Sequence, residues 1–367
     1  MSTIPVIDCS ALFTLLTSPP SPEALATARE VYVAASTWGF FQLTHHPVPP
    51  QLQFDLLTAA QTFFALPEEE KLALDVRNGG VAWRGYMPPG GEGTHGRTDH
   101  KEGIYFGPEH PDTHALVGMP LHGKNQFPSA AQVPGMQRAI LEYIAEITKV
   151  GVAVVAGLSL GLGLEAGDLK ARFLEPEPVA LFRCFKYATL EADVAGEETY
   201  GNRRAQWFAD FGLLTILKQA SAGLQVKSPQ GDWVDVPVLD NAFVVNVGDM
   251  LDQLTGGRLP SRAHRVLPPP PSAGPRYSFP FFFDFAWTAP MVPLDLAHLP
   301  PLSAEEQAAA RERWHRGTFK KVEGYWWQYL AKKVQKVFPD LALPDFEANE
   351  APSTRFTRPV PTAKVVA

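Results

Sequence analysis

The opening third of the chain switches between two hydrophobic periods. "IPVIDCSAL" (4–12) is a short β-branched run that predicts a strand. "SPEALATAREVYVAAS" follows, with Ser21 placed as an N-cap and Pro22 at the first helical position, and predicts a helix over 22–36. "WGFFQLTHH" (38–46) predicts a buried strand, and "QLQFDLLTAAQTFFAL" (51–66) a second helix ending before Pro67. Between 79 and 107 the periodicity disappears while glycine, proline and charge become dense, which predicts a long surface loop. Loops of that length in compact domains are often functional, so Arg84, Tyr86, Arg97, His100 and Lys101 become candidates for substrate contacts.

Apolar residues return at helical spacing over 134–162, predicting the main buried helix. Its most apolar part, 150–164, is shorter than the roughly 20 residues that cross a bilayer and is interrupted by glycines, so it reads as a core helix. From 179 to 286 the pattern changes to short β-type runs separated by Gly, Pro, Asp and Asn: "VALFRCFKYATL", "LTILKQ", "GLQVKS", "WVDVPVL", "AFVVNVGDML", "AHRVL" and "RYSFPFFFDF". Many short strands at close spacing predict a sandwich or barrel rather than alternating βαβ units. Ser303 and Glu306 form a capping-box pattern that opens a C-terminal helical region with a break near Gly317. The organisation expected is an N-terminal α/β region (1–130), support helices (131–178), a β domain (179–286) and C-terminal helices with a tail (287–367).

Composition narrows the class. With 367 residues, 45% hydrophobic and 19% charged, the chain can bury one large core with an appended helical layer, or two closely packed domains. A net charge of -7 without a dominant Lys/Arg cluster argues against a nucleic-acid partner. "AKKVQK" (331–336) reads as the solvated face of a helix. Cys9 and Cys184 are too few and too isolated for a zinc site or a disulfide framework, and "MSTIPVIDCSALF" lacks the basic and apolar regions of a secretory signal. The expectation is a cytoplasmic protein with ordinary thiols and a small-molecule substrate, partnered by neither nucleic acid nor membrane.

Within the β region Asp210, His264, Arg276 and Ser278 attract attention. Each alone has an ordinary structural explanation, but residues two apart on a strand face one side, so Arg276 and Ser278 can hold one small anion together. At these positions the sequence resembles the Fe(II)- and 2-oxoglutarate-dependent dioxygenases, in the isopenicillin N synthase-like, plant-type branch. The resemblance runs through "WGFFQLTHHPVP", "GRTDHKEGIYFG", "DFGLLTILKQ", "GDWVDVPV", "AFVVNVGDML", "GGRLPSRAHRV" and "RYSFPFFFDF". It implies a mainly β fold with flanking helices around a double-stranded β-helix, or jelly roll, whose mouth holds Fe(II) on two histidines and one carboxylate. It further implies that Asp210 and His264 are metal ligands, and that Arg276 and Ser278 clamp the distal carboxylate of 2-oxoglutarate. Tyr187 matches a tyrosine that touches this co-substrate in several relatives, although Ala188 stands where a proline usually follows.

One position departs from the pattern. The family writes His-x-Asp before Phe/Tyr-Gly-x-Leu-Thr, whereas this chain writes Phe208-Ala209-Asp210, and no histidine occurs between His122 and His264. Two protein donors bind iron more weakly than three, but 2-oxoglutarate adds two oxygens, and halogenating members of the wider superfamily function without the carboxylate ligand. Phe208 differs from their solution because its ring fills the ligand's own volume, so Asp210 should seek His264, Arg203, Arg204 or a cation. Rescue by His95, His100 or Gln206 is a further reading. The sequence therefore carries two functional readings: an Fe(II)/2-oxoglutarate oxygenase of small organic molecules, and an impaired homologue that binds a 2-oxo acid or other carboxylate without turnover.

Overall fold

The computed structural model describes residues 3–90, 93–94, 97–98, 101–189, 210–267, 269, 271–317 and 322–337. Thirteen strands are present among them: β1 (Val6–Asp8), β2 (Phe40–Thr44), β3 (Gly85–Met87), β4 (Gly93–Thr94), β5 (Arg97–Thr98), β6 (Lys101–Phe106), β7 (Pro178–Tyr187), β8 (Leu214–Gln219), β9 (Leu224–Lys227), β10 (Trp233–Asp235), β11 (Phe243–Val247), β12 (His264–Val266) and β13 (Arg276–Ala286). Eight join in the order β1-β2-β11-β8-β13-β7-β6-β3, and a smaller sheet runs β10-β9-β12. Every pairing in these two sheets is antiparallel except that of β1 with β2. The two sheets form the jelly-roll core that the family resemblance implies, within the sandwich-or-barrel class that the short strands predict.

Strand register sets which side chains enter the space between the sheets. Asn246 on β11 pairs with Thr215 on β8, Thr215 with Phe282 on β13, and Arg276 and Ser278 on β13 with Tyr187 and Phe185 on β7. On β6, Tyr105 and Lys101 pair with Arg183 and Tyr187. By the two-residue period these side chains share the inner face. The same face closes against the small sheet through a cluster of Phe40, Leu217, Leu224, Val226, Val236 and Val244.

The outer face packs on helices. The long helix α4 (Met136–Gly161) lies against α1 (Pro22–Thr37), α2 (Pro50–Phe64) and β13. Gly151 is required there, since a Cβ would stand 2.8 Å from the ring of Phe283. Tyr143 of the same helix meets Phe182 of β7 with ring centroids 5.1 Å apart. Although α4 has the length and hydropathy to cross a membrane, its apolar residues are buried in the core. Shorter helices α3 (Glu68–Leu72), α5 (Asp168–Phe173) and α6 (Asp249–Leu254) precede α7 (Ala304–Arg316) and α8 (Trp326–Val337). The predicted caps are present: the Ser21 hydroxyl accepts from Ala24 N–H at 3.1 Å, and Ser303 with Glu306 completes a capping box.

The predicted surface loop at 79–107 needs correction. β3 and β6 lie within it and pair as the far edge of the large sheet. Strands buried on both faces do not alternate, and glycines at their ends hid them in the sequence. Arg84 is fully buried, with Nη2 donating to the Leu121 carbonyl at 2.8 Å, and burial lowers its pKa to about 9. The Tyr86 hydroxyl donates to Glu102 Oε2 at 2.7 Å, and Lys71 and Lys186 donate to the same carboxylate at 2.6 and 2.9 Å. Arg84 and Tyr86 are therefore interior struts and not loop contacts.

Candidate active site

The turn that delivers Asp210 is tightly packed. A Cβ on Gly212 would overlap the Asp284 carboxylate, and one on Gly248 would overlap the Gly212 carbonyl, so the chain can pass here only without side chains. Leu213 N–H donates to Asp284 Oδ1 at 2.9 Å, and Asp249 N–H donates to the Asp210 carbonyl at 2.7 Å. Burial raises the pKa of Asp284 to about 7 and that of Asp249 to about 6. The helix α6 that begins at Asp249 is pinned in turn, because the buried Asp252 accepts from Arg313 Nε at 2.8 Å and from Trp314 Nε1 at 3.1 Å.

Two inner-face residues aim the Asp210 side chain. Thr215 Oγ1 and Asn246 Nδ2 donate to Oδ2 at 2.6 and 2.9 Å. Oδ1 faces Nε2 of His264, on β12 of the small sheet, at 3.9 Å. Donors about 2.1 Å from one ion can stand at most about 4.2 Å apart, so this pair fits a shared metal. The His264 ring is steadied edge-on by Phe40, with centroids 5.5 Å apart. Of the alternatives weighed for Asp210, the structure brings His264 to it, while Arg203 and Arg204 lie outside the described residues. Phe208, Gln206, His95 and His100 lie outside them too, and Arg97 is described only as part of β5.

Arg276 is 1% exposed at the start of β13. Its Nε donates to the Ala222 carbonyl at 3.0 Å, while Nη1 is buried without a hydrogen-bond partner among the described residues. Burial lowers its pKa from the ordinary arginine value. Tyr187 lies across the strand pair, its ring centroid 5.0 Å from the guanidinium carbon, and Ser278 follows on the same face, also buried. A buried guanidinium with a spare donor beside a serine fits a carboxylate such as that of a 2-oxo acid.

Thr215 and Asn246 were not singled out in the sequence. Their signal was there in part: Asn246 is the lone polar residue in "AFVVNV", and Thr215 stands between apolar neighbours in "LTILKQ". Lys333 was read as part of a solvated face, yet it lies 4.8 Å over the ring of Phe211, the residue after Asp210. Its helix buries Ala331 and Val334 and exposes Lys332, so only one side of "AKKVQK" meets solvent.

Away from this site, His110, His122 and Glu177 bring possible ligand atoms within 4.8 Å of one another. Gly123 N–H donates to His110 Nδ1, leaving that ring's proton on Nε2, while His122 Nδ1 donates to the Pro120 carbonyl. Of the two histidines only His122 then offers a free ring lone pair, and Glu177 Oε1 is engaged by His114 Nε2 at 2.8 Å.

Known proteins resemble this chain in sequence and in fold. Residues 193–285 match the profile of the 2OG-Fe(II) oxygenase superfamily, and residues 4–130 that of the non-haem dioxygenase in morphine synthesis N-terminal region. A Dictyostelium discoideum protein described as "Probable iron/ascorbate oxidoreductase" is 34% identical over 331 residues, covering 86% of this chain and 89% of its own. A 2-oxoglutarate-Fe(II) type oxidoreductase of Emericella nidulans is 37% identical over 260 residues, covering 67% of this chain and 70% of its own. Among solved structures, a full-length Neurospora crassa protein in complex with alpha-KG superposes with a TM-score of 0.71 at 25% identity, over 91% of this chain and 96% of that one.

Proposed function

The chain belongs to the 2OG-Fe(II) oxygenase superfamily, and from that premise we propose that it is a non-haem Fe(II)- and 2-oxoglutarate-dependent oxidoreductase acting on a small organic molecule. The observation that carries this reading is the 3.9 Å approach of Asp210 to His264 on the inner face that also holds the spare donor of buried Arg276. Asp210 Oδ1 and His264 Nε2 are the protein donors for iron, and Arg276, Ser278 and Tyr187 hold the distal carboxylate of 2-oxoglutarate. Iron and 2-oxoglutarate bound together supply the oxidation: the 2-oxo acid loses carbon dioxide and becomes succinate as dioxygen is consumed and the substrate is oxidised.

The chain's own residues prepare that chemistry. Thr215 and Asn246 occupy Oδ2 of Asp210, so its other oxygen is the one presented toward His264. Phe40 fixes the His264 ring, and the apolar cluster around Leu217, Val226 and Val244 limits water on the small-sheet side. The Arg276 and Ser278 clamp orients the co-substrate by its far end, leaving its 2-oxo acid end to reach the donor pair. Buried, free Cys9 and Cys184 support a reducing, cytoplasmic setting.

Phe208, two positions before Asp210, provides no donor where the family has histidine, and we expect weakened iron binding as a result. The same residue favours a second reading, a homologue that binds a 2-oxo acid through Arg276 without turnover. Anaerobic Fe(II) titration of the wild-type protein with 2-oxoglutarate separates the two. A visible metal-to-ligand charge-transfer band that saturates near one iron per chain supports the oxygenase. Absence of the band, with 2-oxoglutarate binding still detected by calorimetry, supports the second reading.

A further inference from the structure

The clamp at Arg276 has a second wall that the proposed chemistry does not use. β8 and β13 run antiparallel with Gln219 opposite Ser278. The Ala220 N–H donates to the Tyr277 carbonyl at 3.4 Å, so the pairing carries on past the end of β8 and sets Ser221 opposite Arg276. Earlier on β8, Thr215 reaches Asp210 and Leu217 packs between the sheets, so the two-residue period turns Gln219 and Ser221 to that same inner face. Tyr187 and Phe185 of β7 flank Arg276 and Ser278 on the other side. The clamp therefore lies between two strands, and β8 supplies the wall facing Tyr187.

That wall carries polar atoms with nothing to bond. Gln219 Oε1 and Ser221 Oγ, like Arg276 Nη1, are buried without a hydrogen-bond partner among the described residues. Gln219 is 4% exposed. Opposed residues on one face of an antiparallel pair have Cβ atoms about 5 Å apart and diagonal ones about 7–8 Å, so the Gln219 amide reaches the space over Ser278 and beside the Arg276 guanidinium. The turn after Ser221 seats that guanidinium, since Nε donates to the Ala222 carbonyl at 3.0 Å and a Cβ on Gly223 would stand 3.5 Å from the same Nε. Leucine at 219 would extend the apolar row begun by Leu217, and an amide buried there with its carbonyl unbonded costs free energy that leucine would not. The terminal torsion of glutamine is two-fold, so a half-turn exchanges the carbonyl for an N–H pair at little cost. Arg276, Ser278, Ser221 and Gln219 then present donors from both strands to one spot, which suits the two oxygens of a carboxylate and offers nothing to a methyl group.

We propose that Gln219 and Ser221 complete the site for the far carboxylate of the 2-oxo acid, and that Gln219 sets the preference for a dicarboxylic over a monocarboxylic 2-oxo acid. The inference rests on the proposed role of Arg276 and Ser278 and adds the wall that determines specificity. It does not require iron, because these groups hold the end of the molecule remote from Asp210 and His264.

The test is calorimetric binding of 2-oxoglutarate and of 2-oxovalerate, the same carbon chain without the far carboxylate, to the full-length protein, metal-free and with Mn(II). The wild type should bind 2-oxoglutarate at least about tenfold more tightly than 2-oxovalerate. Gln219→Leu should lower that ratio about tenfold and Ser221→Ala by a smaller factor, with 2-oxovalerate affinity held within about twofold. Gln219→Glu keeps the size of the side chain and sets one carboxylate against another, so it should abolish the preference altogether. A loss confined to the dicarboxylate is not what a packing defect produces. Circular dichroism and thermal melting establish that each variant is folded. Should Gln219→Leu not fold, the glutamate variant and Ser221→Ala decide the matter. No binding of 2-oxoglutarate by the wild type, equal binding of the two acids, or variants that keep the wild-type ratio or lose both acids alike overturns the proposal. A wild-type ratio in the β8 variants that disappears in Arg276→Met removes the second wall and leaves the clamp. A preference that depends on Gln219 while iron titration shows no band supports the inference and removes the oxygenase reading instead.

Discussion

At the scale of single residues, the interior is organised around polar groups most of whose partners come from distant parts of the chain. Asp210 depends on Thr215 and Asn246, Glu102 on Lys71, Lys186 and Tyr86, and Asp252 on Arg313 and Trp314. Burial opposes the charge on Glu102, yet those three bonds hold its pKa below the ordinary glutamate value. His122 illustrates the opposite case. Its ring is buried against Trp287, Nδ1 donates to Pro120, and burial lowers its pKa to about 3. Below the unfolded histidine pKa of about 6.5 the unfolded chain takes up a proton that the folded chain refuses, so acidification removes stability. His122→Asn keeps a donor for Pro120 but cannot titrate. Chemical denaturation of both proteins should show the stability advantage of the wild type near pH 7.5 shrinking by up to about 3 kcal/mol as the pH falls to 4. A pH-independent difference would mean that His122 takes up its proton as readily in the folded chain as in the unfolded one.

At the scale of elements, α4 against β13 is the contact that supports the site from behind. Gly151 is weak in helix propensity, and alanine there would gain about 1 kcal/mol in an isolated helix. The Phe283 ring leaves no space for the methyl group, and overpacking costs about 1–3 kcal/mol. Gly151→Ala should therefore lower Tm, with the same visible fold by circular dichroism. A raised Tm would show that the β13 face yields and that the two elements are not tightly fitted. Such elements differ in how much the sequence discloses. The α1 cap, the α4 periodicity, the α7 capping box and the seven short runs from β7 to β13 are local signals and read correctly. β3 and β6 are not local: what makes them strands is burial between β7 and the helices, and "GYM" and "KEGIYF" carry neither alternation nor a hairpin turn. Arg84 and Lys101 accordingly looked alike in the sequence, although one is a buried strut and the other faces the inner cavity wall.

At the scale of the whole molecule, the site exists because two sheets meet. Asp210 sits on the turn that enters β8 and is held by Thr215 and Asn246 of the large sheet, while His264 belongs to the small one, and the closed jelly roll places the two 3.9 Å apart. Ordered motifs pointed to Asp210, His264, Arg276 and Ser278, but not to Thr215 or Asn246. Geometry added what spacing alone does not carry: the orientation of Asp210 and the spare donor of Arg276. We propose that this scaffold binds iron through Asp210 and His264 and that Phe208 limits the affinity. The direct measurement is the dissociation constant of Fe(II) for the wild type and for Phe208→His, from anaerobic charge-transfer titrations at saturating 2-oxoglutarate. The account predicts at least about tenfold tighter binding by the histidine variant, each protein saturating near one iron per chain. Equal affinity, or a variant that binds no iron, would contradict it.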